Sequence, residues 1–273
     1  MSGALIRRRG SAFASTPYTI ETPRFLRTFD NGLDTVTGVT FQPDGLTMYL
    51  TNQSGTDSAV IGVYEYDLST AWDISTAVAS GSSHLVGANI ASIGSAQFLD
   101  SGTNIFVISN NGNDFFGYTF STAYDLSTAS LPDLGIPTGD NNTNGLHIVE
   151  KTTSDIYITG ATDDVIRQFS MTTKDVDLLT FVRSLSVATQ DAAPRGVVMD
   201  PTQTTMLVSG NQNDSVYQYT LSTAGDISTA SYDSVLLNTG TDGETGPYDI
   251  CFGDGGKYLY VTGFSNGLTQ YAL

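Results

Sequence analysis

LSTAWDISTA at Leu68–Ala77, FSTAYDLSTA at Phe120–Ala129 and LSTAGDISTA at Leu221–Ala230 are three copies of one phrase. A degenerate fourth copy, MTTKDVDLLT, occupies Met171–Thr180. Self-similarity at a period of roughly 20–50 residues marks a solenoid, a propeller or an array, and it takes precedence over local motifs. Each copy follows a short aromatic strand ending at Tyr66, Tyr118, Phe169 or Tyr219, and a fifth such strand ends at Tyr271. Successive positions differ by 52, 51, 50 and 52 residues. Units of about 50 residues have the length of four-stranded propeller blades.

Two further strands precede each aromatic one. The first is small or apolar: Gly38–Phe41, Ser95–Phe98, Leu146–Val149, Gly196–Met199 and Asp249–Phe252. The second is nearly continuous in apolar residues, as suits a strand covered on both faces: Met48–Thr51, Ile105–Ile108, Ile156–Thr159, Met206–Ser209 and Leu259–Thr262. Turn residues such as Pro43-Asp44-Gly45 join the two. A variable fourth strand follows the phrase, in segments such as Leu178–Ser186 and Ser231–Asn238.

The chain ends at Leu273, which aligns with Leu68, so the fifth unit has no fourth strand of its own. Arg24–Phe29, upstream of the first unit, can supply it and close the ring, which removes the unpaired edges of an open array. The expected fold is all-β: a five-bladed β-propeller over residues 23–273, closed by an N-terminal outer strand and preceded by an extended arm, residues 1–22. An open β-solenoid fits the period and strand count less well.

Only 14% of the residues are charged, against about 25% in an average globular protein, and Ser, Thr, Gly and Asn fill the surface instead. The net charge is −17. The arm contributes +2, from Arg7, Arg8 and Arg9 against Glu21; residues 23–273 hold eight basic and 27 acidic residues. So acidic a body repels phosphate backbones, which argues against nucleic-acid binding. Cys251 is the only cysteine, so no disulfide within the chain is available and a buried apolar role is expected. No segment has the apolar run of a membrane span or of a standard signal peptide. Within the arm, Leu5, Ile6 and Phe13 are candidate apolar anchors, and Arg7–Arg9 are candidate partners for an acidic surface.

Binding sites are expected where the loops between second and third strands meet those leading to the next blade. These loops are rich in Asn and Asp. One set holds Asn52, Asp57, Asn113, Asp114, Asp163, Asp164, Asn213, Asp214 and Asn266; the other includes Asp34, Asp140, Asp191, Asp242 and Glu244. Their oxygens suit sugar hydroxyls or Ca²⁺, and equally the caps of tight turns. No D-x-D-x-D-G loop is present, so no cofactor or metal is assigned. His147 aligns with Val39, Ala96, Val197 and Ile250, which reads as an interior histidine rather than a base. Asp73, Asp125 and Asp226 share one place in the phrase, as a common backbone cap would. No nucleophile elbow or phosphate loop occurs, and no catalytic residue is assigned.

The F-x-x-D-G turn at Phe41–Gly45, the strand Leu259–Thr262 and the run Val216–Ala230 together resemble repeat proteins of bacteriophages, marine ones especially. The resemblance spans about residues 24–273. It implies a propeller in a virion, tail or fibre protein, present in many copies, bound to other virion proteins through its arm, and serving assembly or attachment to host-surface glycan. A free extracellular carbohydrate-binding lectin with five equivalent pockets is the alternative. A propeller lactonase or sugar hydrolase ranks third, and would require acidic groups such as Asp249, Glu244 and Asp34 to converge at one mouth.

Overall fold

The computed structural model describes residues 18–54, 57–87, 90–110, 114–130, 136–151, 153–172 and 179–273. Leu5, Ile6, Arg7, Arg8, Arg9, Phe13 and Asn113 lie outside them, as does most of the degenerate phrase copy. Twenty strands form five antiparallel sheets of four. Blade 1 is β2 (Val36–Phe41), β3 (Thr47–Asn52), β4 (Gly62–Leu68) and β5 (Ala77–Leu85). Blade 2 is β6 (Ile93–Leu99), β7 (Asn104–Ser109), β8 (Asp114–Thr119) and β9 (Ile136–Pro137). Blade 3 is β10 (Thr143–Val149), β11 (Ser154–Gly160), β12 (Val165–Met171) and β13 (Leu179–Ser186). Blade 4 is β14 (Pro194–Met199), β15 (Thr205–Gly210), β16 (Ser215–Leu221) and β17 (Ala230–Asn238). Blade 5 takes β18 (Pro247–Gly253), β19 (Tyr258–Gly263) and β20 (Gly267–Ala272) from the C-terminus, and β1 (Arg24–Phe29) as its outer strand.

Apolar faces of neighbouring sheets meet in five separate cores, one per seam. Tyr49, Val63, Ala96 and Val107 fill the seam between blades 1 and 2. Val39, Leu50, Tyr260 and Leu268 fill that between blades 5 and 1, so the ring is closed by packing as well as by strand pairing. Every inner strand carries a β-bulge near Gly38, Ser95, Gly145, Gly196 or Asp249. In three of these blades a second-strand hydroxyl accepts the bulge N–H: Thr159 from Gly145 (2.8 Å), Ser209 from Gly196 (2.7 Å) and Thr262 from Asp249 (2.9 Å). Thr159 and Ser209 then donate to carbonyls of the following blade, at Arg195 and Tyr248. The hydroxyl that ends those second strands is therefore a bulge filler and an inter-blade tie.

The phrase folds alike in all three copies. Asp73, Asp125 and Asp226 cap a 3₁₀ turn, each accepting at 3.0 Å from the amide and at 2.6 Å from the hydroxyl of the serine two residues on. Ile74, Leu126 and Ile227, next in sequence, are buried. The residue before the aspartate has left-handed backbone (Trp72 φ 66°, Tyr124 φ 64°, Gly225 φ 74°) and donates its N–H to the first turn of its own blade, at Gly45, Gly102 and Gln203. Those turn residues are left-handed too. At each crossing one partner is glycine and the other is large. A Cβ on Gly45 would lie 2.3 Å from the Trp72 ring, one on Gly102 2.3 Å from Tyr124, and one on Gly225 2.6 Å from Gln203 Oε1.

The same crossings bind the blades together. Tyr49 of blade 1 donates its hydroxyl to Tyr124 O of blade 2 (3.1 Å), Tyr157 of blade 3 to Gly225 O of blade 4 (2.8 Å), and Tyr260 of blade 5 to Trp72 O of blade 1 (2.6 Å). At the outer edge Arg27 and Arg183 reach forward to Asp73 and Asp226. Blades 2 and 4 have Phe106 and Leu207 in the tyrosine position, and neither blade is followed by a full phrase.

Blade 5 has no phrase downstream, and Tyr18-Thr19-Ile20 takes its place. Tyr18 lies over Gly256 of the first turn, as Trp72 lies over Gly45. Ile20, 1% exposed, joins the core between blades 4 and 5, and its N–H donates to Gln218 Oε1 at 2.9 Å. Tyr18–Ile20, expected to lie in the arm, thus pack against the propeller. A second correction concerns register: His147 pairs across to Tyr157 as Thr40 does to Tyr49 and Cys251 to Tyr260, so its equivalents are Thr40, Gln97, Val198 and Cys251.

Two outcomes follow for stability. Ile20→Ala should cost about 2–5 kcal/mol in chemical unfolding, as a core truncation does, although Ile20 precedes the repeat. Gly225→Tyr alone should destabilise the fold through its clash with Gln203; Gly225→Tyr with Gln203→Gly should recover most of that loss, a non-additivity that a double-mutant cycle of unfolding midpoints measures.

Candidate functional site

The loops at one mouth of the ring, where the Asn and Asp candidates lie, are tied to their own backbone. Asp140, buried, accepts from the amides of Asn142, Thr162 and Asp163 and pairs with Arg167 at 3.1 Å. Asp163 pairs with Arg167 as well. Asp191 accepts from the amides of Ala193, Gln212 and Asn213, and Glu244 from those of Ser265 and Asn266. Asn52 accepts from Thr35 and donates to Val60 O; Asp57 caps Ala59; Asp214 accepts from Gly246; Asp242 ends a 3₁₀ turn. Asp164 has left-handed backbone and Asp114 begins β8. Asn110, Asn144, Arg195 and Tyr248 link in sequence across blades 2 to 5 at this end. The Asp, Asn and Glu bonds hold the loop turns, and among the described candidates Asn266 and Asp34 line a 330 Å³ pocket. Among the described residues no group of three or more His, Cys, Asp and Glu is placed to hold a metal ion.

A cavity of about 920 Å³ opens at the opposite mouth, the side of the phrases. Its walls are the ends of the five inner strands, with Thr40, Gln97, His147, Val198 and Cys251 in one ring. Ser95 and Asp249 lie deeper, at the bulges, where the inner strands approach closely: a Cβ on Gly38 would be 2.9 Å from Ser95 Cα, and one on Gly196 2.8 Å from Asp249 Cα.

The rim is asymmetric. On blades 5, 1 and 2, which are contiguous, the inner strand carries a phenylalanine at or next to its last residue, and that ring meets the aromatic of the phrase position. Phe252 meets Tyr18 at 5.0 Å, Phe41 meets Trp72 at 5.2 Å and Phe98 meets Tyr124 at 5.2 Å between centroids. Blades 3 and 4 contribute Leu146, His147, Glu150, Val198, Met199 and Pro201. The result is an aromatic arc facing an aliphatic and polar wall. Only the presence of Trp72 hinted at this arc, since nothing in the repeat shows that Tyr18 completes it.

Three buried titratable groups line the cavity: Asp249, His147 and Cys251. Asp249, 3% exposed, accepts from Ser95 Oγ at 2.6 Å and Val39 N at 3.3 Å; its Oδ1 has no partner. Burial raises its pKa to about 7, against the lowering effect of Ser95. Burial lowers that of His147 to about 4, so its imidazole is neutral at neutral pH. Cys251 Sγ donates to Phe252 O at 3.2 Å, and burial pushes its thiol up to about 12, far from a nucleophile's range. The three acids that a lactonase would need at one mouth do not converge: Glu244 is bonded to amides, Asp34 lines a separate 330 Å³ pocket at the other mouth, and of the three Asp249 alone lines the cavity.

No protein-family model matches the chain, and comparison with curated proteins finds no match. Solved structures similar to it are propellers. A proposed 6-phosphogluconolactonase from Bacteroides fragilis is 15% identical over 87% of this chain and 67% of its own, with a TM-score of 0.54. One from Bacteroides uniformis is 15% identical over 90% and 70%, with a TM-score of 0.53. The periplasmic gluconolactonase of Pseudomonas aeruginosa is 14% identical over 88% and 66%, with a TM-score of 0.53. The chain spans about two thirds of the length of these neighbours, and the likeness is one of fold.

Asp249 sets a pH test. Its proton is held in the folded chain up to about 7 but is released near 4 on unfolding, so stability falls as pH rises between those values and levels off above. His147 acts oppositely, losing stability as pH falls from about 6.5 to about 4. Unfolding free energies of Asp249→Asn, compared with the parent chain across pH 4–8, should show the loss above pH 4 reduced.

Proposed function

We propose that this chain is a non-enzymatic carbohydrate-binding propeller of a bacteriophage particle, serving attachment to host-surface glycan. The aromatic arc around the cavity carries the binding half of this reading. Aromatic faces cover the apolar face of a sugar ring, while groups such as Glu150 opposite can meet its hydroxyls. The arc occupies one side of one cavity, which favours one glycan site per chain over five equivalent pockets. The particle half rests on the resemblance of the repeat to phage proteins and on the basic segment Arg7–Arg9 as an assembly arm.

A lactonase reading has one observation in its favour: Asp249, with its pKa near 7, and neutral His147 line the same cavity. Against it, Asp249 is nearly closed off, and among the described lining residues no Lys or Arg is present to hold a phosphorylated sugar. Hydrolysis of gluconolactone or its 6-phosphate that Asp249→Asn abolishes would establish the enzyme instead.

Trp72 is the only tryptophan and stands on the rim, so its emission reports occupancy of the cavity. Titration with host-surface oligosaccharides should shift that emission, and Tyr124→Ala should weaken the binding about tenfold or more, as loss of one stacking face would. Absence of the protein from purified particles would overturn the virion assignment.

A further inference from the structure

The cavity is a well with one opening. The first turn of every blade stands at its rim, through Pro43, Ser101, Glu150, Pro201 and Gly255, so it is walled on all five sides. Its floor lies at the bulges. There Asp249 of blade 5 accepts from Ser95 of blade 2 at 2.6 Å, a bond that passes in front of blade 1, which stands between them. Blade 1 has Gly38 at this level: a Cβ there would lie 3.4 Å from Asp249 Oδ2 and 2.9 Å from Ser95 Cα. On the other side a Cβ on Gly145 would lie 2.7 Å from Gly196 Cα, and one on Gly196 2.8 Å from Asp249 Cα. The inner strands of blades 3 and 5, which are not neighbours, come within 8 Å between Cα atoms. No described lining residue comes from an inner strand before its bulge, so the cavity stops short of Asn144, Arg195 and Tyr248 at the far mouth.

Between floor and rim, the Thr40 hydroxyl and the His147 imidazole line the cavity and make no hydrogen bond to any described residue. Gln97 and Cys251, in the same ring, donate to the carbonyls of Ile148 and Phe252. Burial keeps His147 neutral, so it offers one donor and one acceptor. The volume of about 920 Å³ suits a ligand of drug size, about two or three sugar rings, and not a polymer. We infer that the cavity recognises the end of a glycan chain. The terminal sugar enters first, with its apolar face against the aromatic arc and its hydroxyls at Thr40 and His147. The floor bars a chain from threading through, and the five turns bar one from leaving sideways. This assignment rests on the glycan-binding reading and adds to it which part of the chain is bound.

Linear oligomers of glucose, mannose, galactose and N-acetylglucosamine, from dimer to octamer, and the corresponding polysaccharides separate the two claims. Each is titrated into the full chain, with Trp72 emission and calorimetry read in parallel. For a sugar that binds, affinity per chain should rise until the cavity is filled, after about three units, and then stay constant. One protein should bind per chain, for polymer as for octamer. A bulky tag on the terminal sugar at one end of the octamer should weaken binding about tenfold or more, while the same tag at the other end should not. Thr40→Val should weaken it about fivefold, through the lost hydroxyl. Affinity that keeps rising with length, several proteins per polymer, or tolerance of tags at both ends would overturn the inference and leave glycan binding standing. Calorimetric binding with no change at Trp72, or with Thr40→Val unaltered, would place the sugar away from this well and overturn the inference as well. Binding of no oligomer would overturn both readings.

Discussion

The crossing of each phrase over the first turn of its own blade organises the molecule. Two left-handed residues meet there, and only one of them can carry a side chain. The crossing puts a carbonyl where the tyrosine of the preceding blade can reach it, at 2.6–3.1 Å in three seams. A buried hydroxyl bond of this kind contributes about 1 kcal/mol net, but it also fixes the angle at which one sheet meets the next. At Gly225 O and Trp72 O a glutamine side chain, Gln168 or Gln270, donates as well at 2.9 Å, so the crossing carbonyl is doubly held in two of the seams. Phe106 and Leu207 occur where no full phrase follows, as expected if the hydroxyl is kept only where an acceptor exists.

The same crossings build the cavity's character. Where glycine sits in the turn, a ring from the phrase position lies over it and onto the rim; where Gln203 sits in the turn, Gly225 leaves the rim bare. Fold stability and the cavity's aromatic lining therefore share residues. The ring of Asn and Asp at the far mouth shows the reverse case. Those side chains are polar and repeated, yet their oxygens are consumed by amides of loops with few other partners, which is why a turn-rich mouth is rich in them.

Much of the fold was legible in the residues. Period, strand order and the missing fourth strand after Leu273 identify five blades and the closing role of Arg24–Phe29, because pairing must be completed or an edge remains. The shared cap of Asp73, Asp125 and Asp226 was readable from its fixed place before a hydrophobe and a serine. The place of His147 was not. Twelve positions separate Gly145 from Tyr157 where eleven separate Gly38 from Tyr49, so counting back from the second strand misplaces His147 by one residue, and short apolar strands offer no second periodicity to detect it. Nor was the role of Tyr18-Thr19-Ile20, which shares little with the phrase beyond an aromatic and an isoleucine two residues apart.

The sequence by itself determined the repeat unit, the number of blades, the means of closure and the acidic body, since these depend on periodicity and composition that every copy expresses. Tertiary structure alone decided which mouth holds a cavity, that its aromatic arc spans blades 5, 1 and 2, and that Asp249 lies among its walls while Glu244 and Asp34 do not. These properties arise where copies differ, and their meaning depends on which blades become neighbours when the ring closes: residues 18 and 252 meet at 5.0 Å only because the two ends of the chain share one blade.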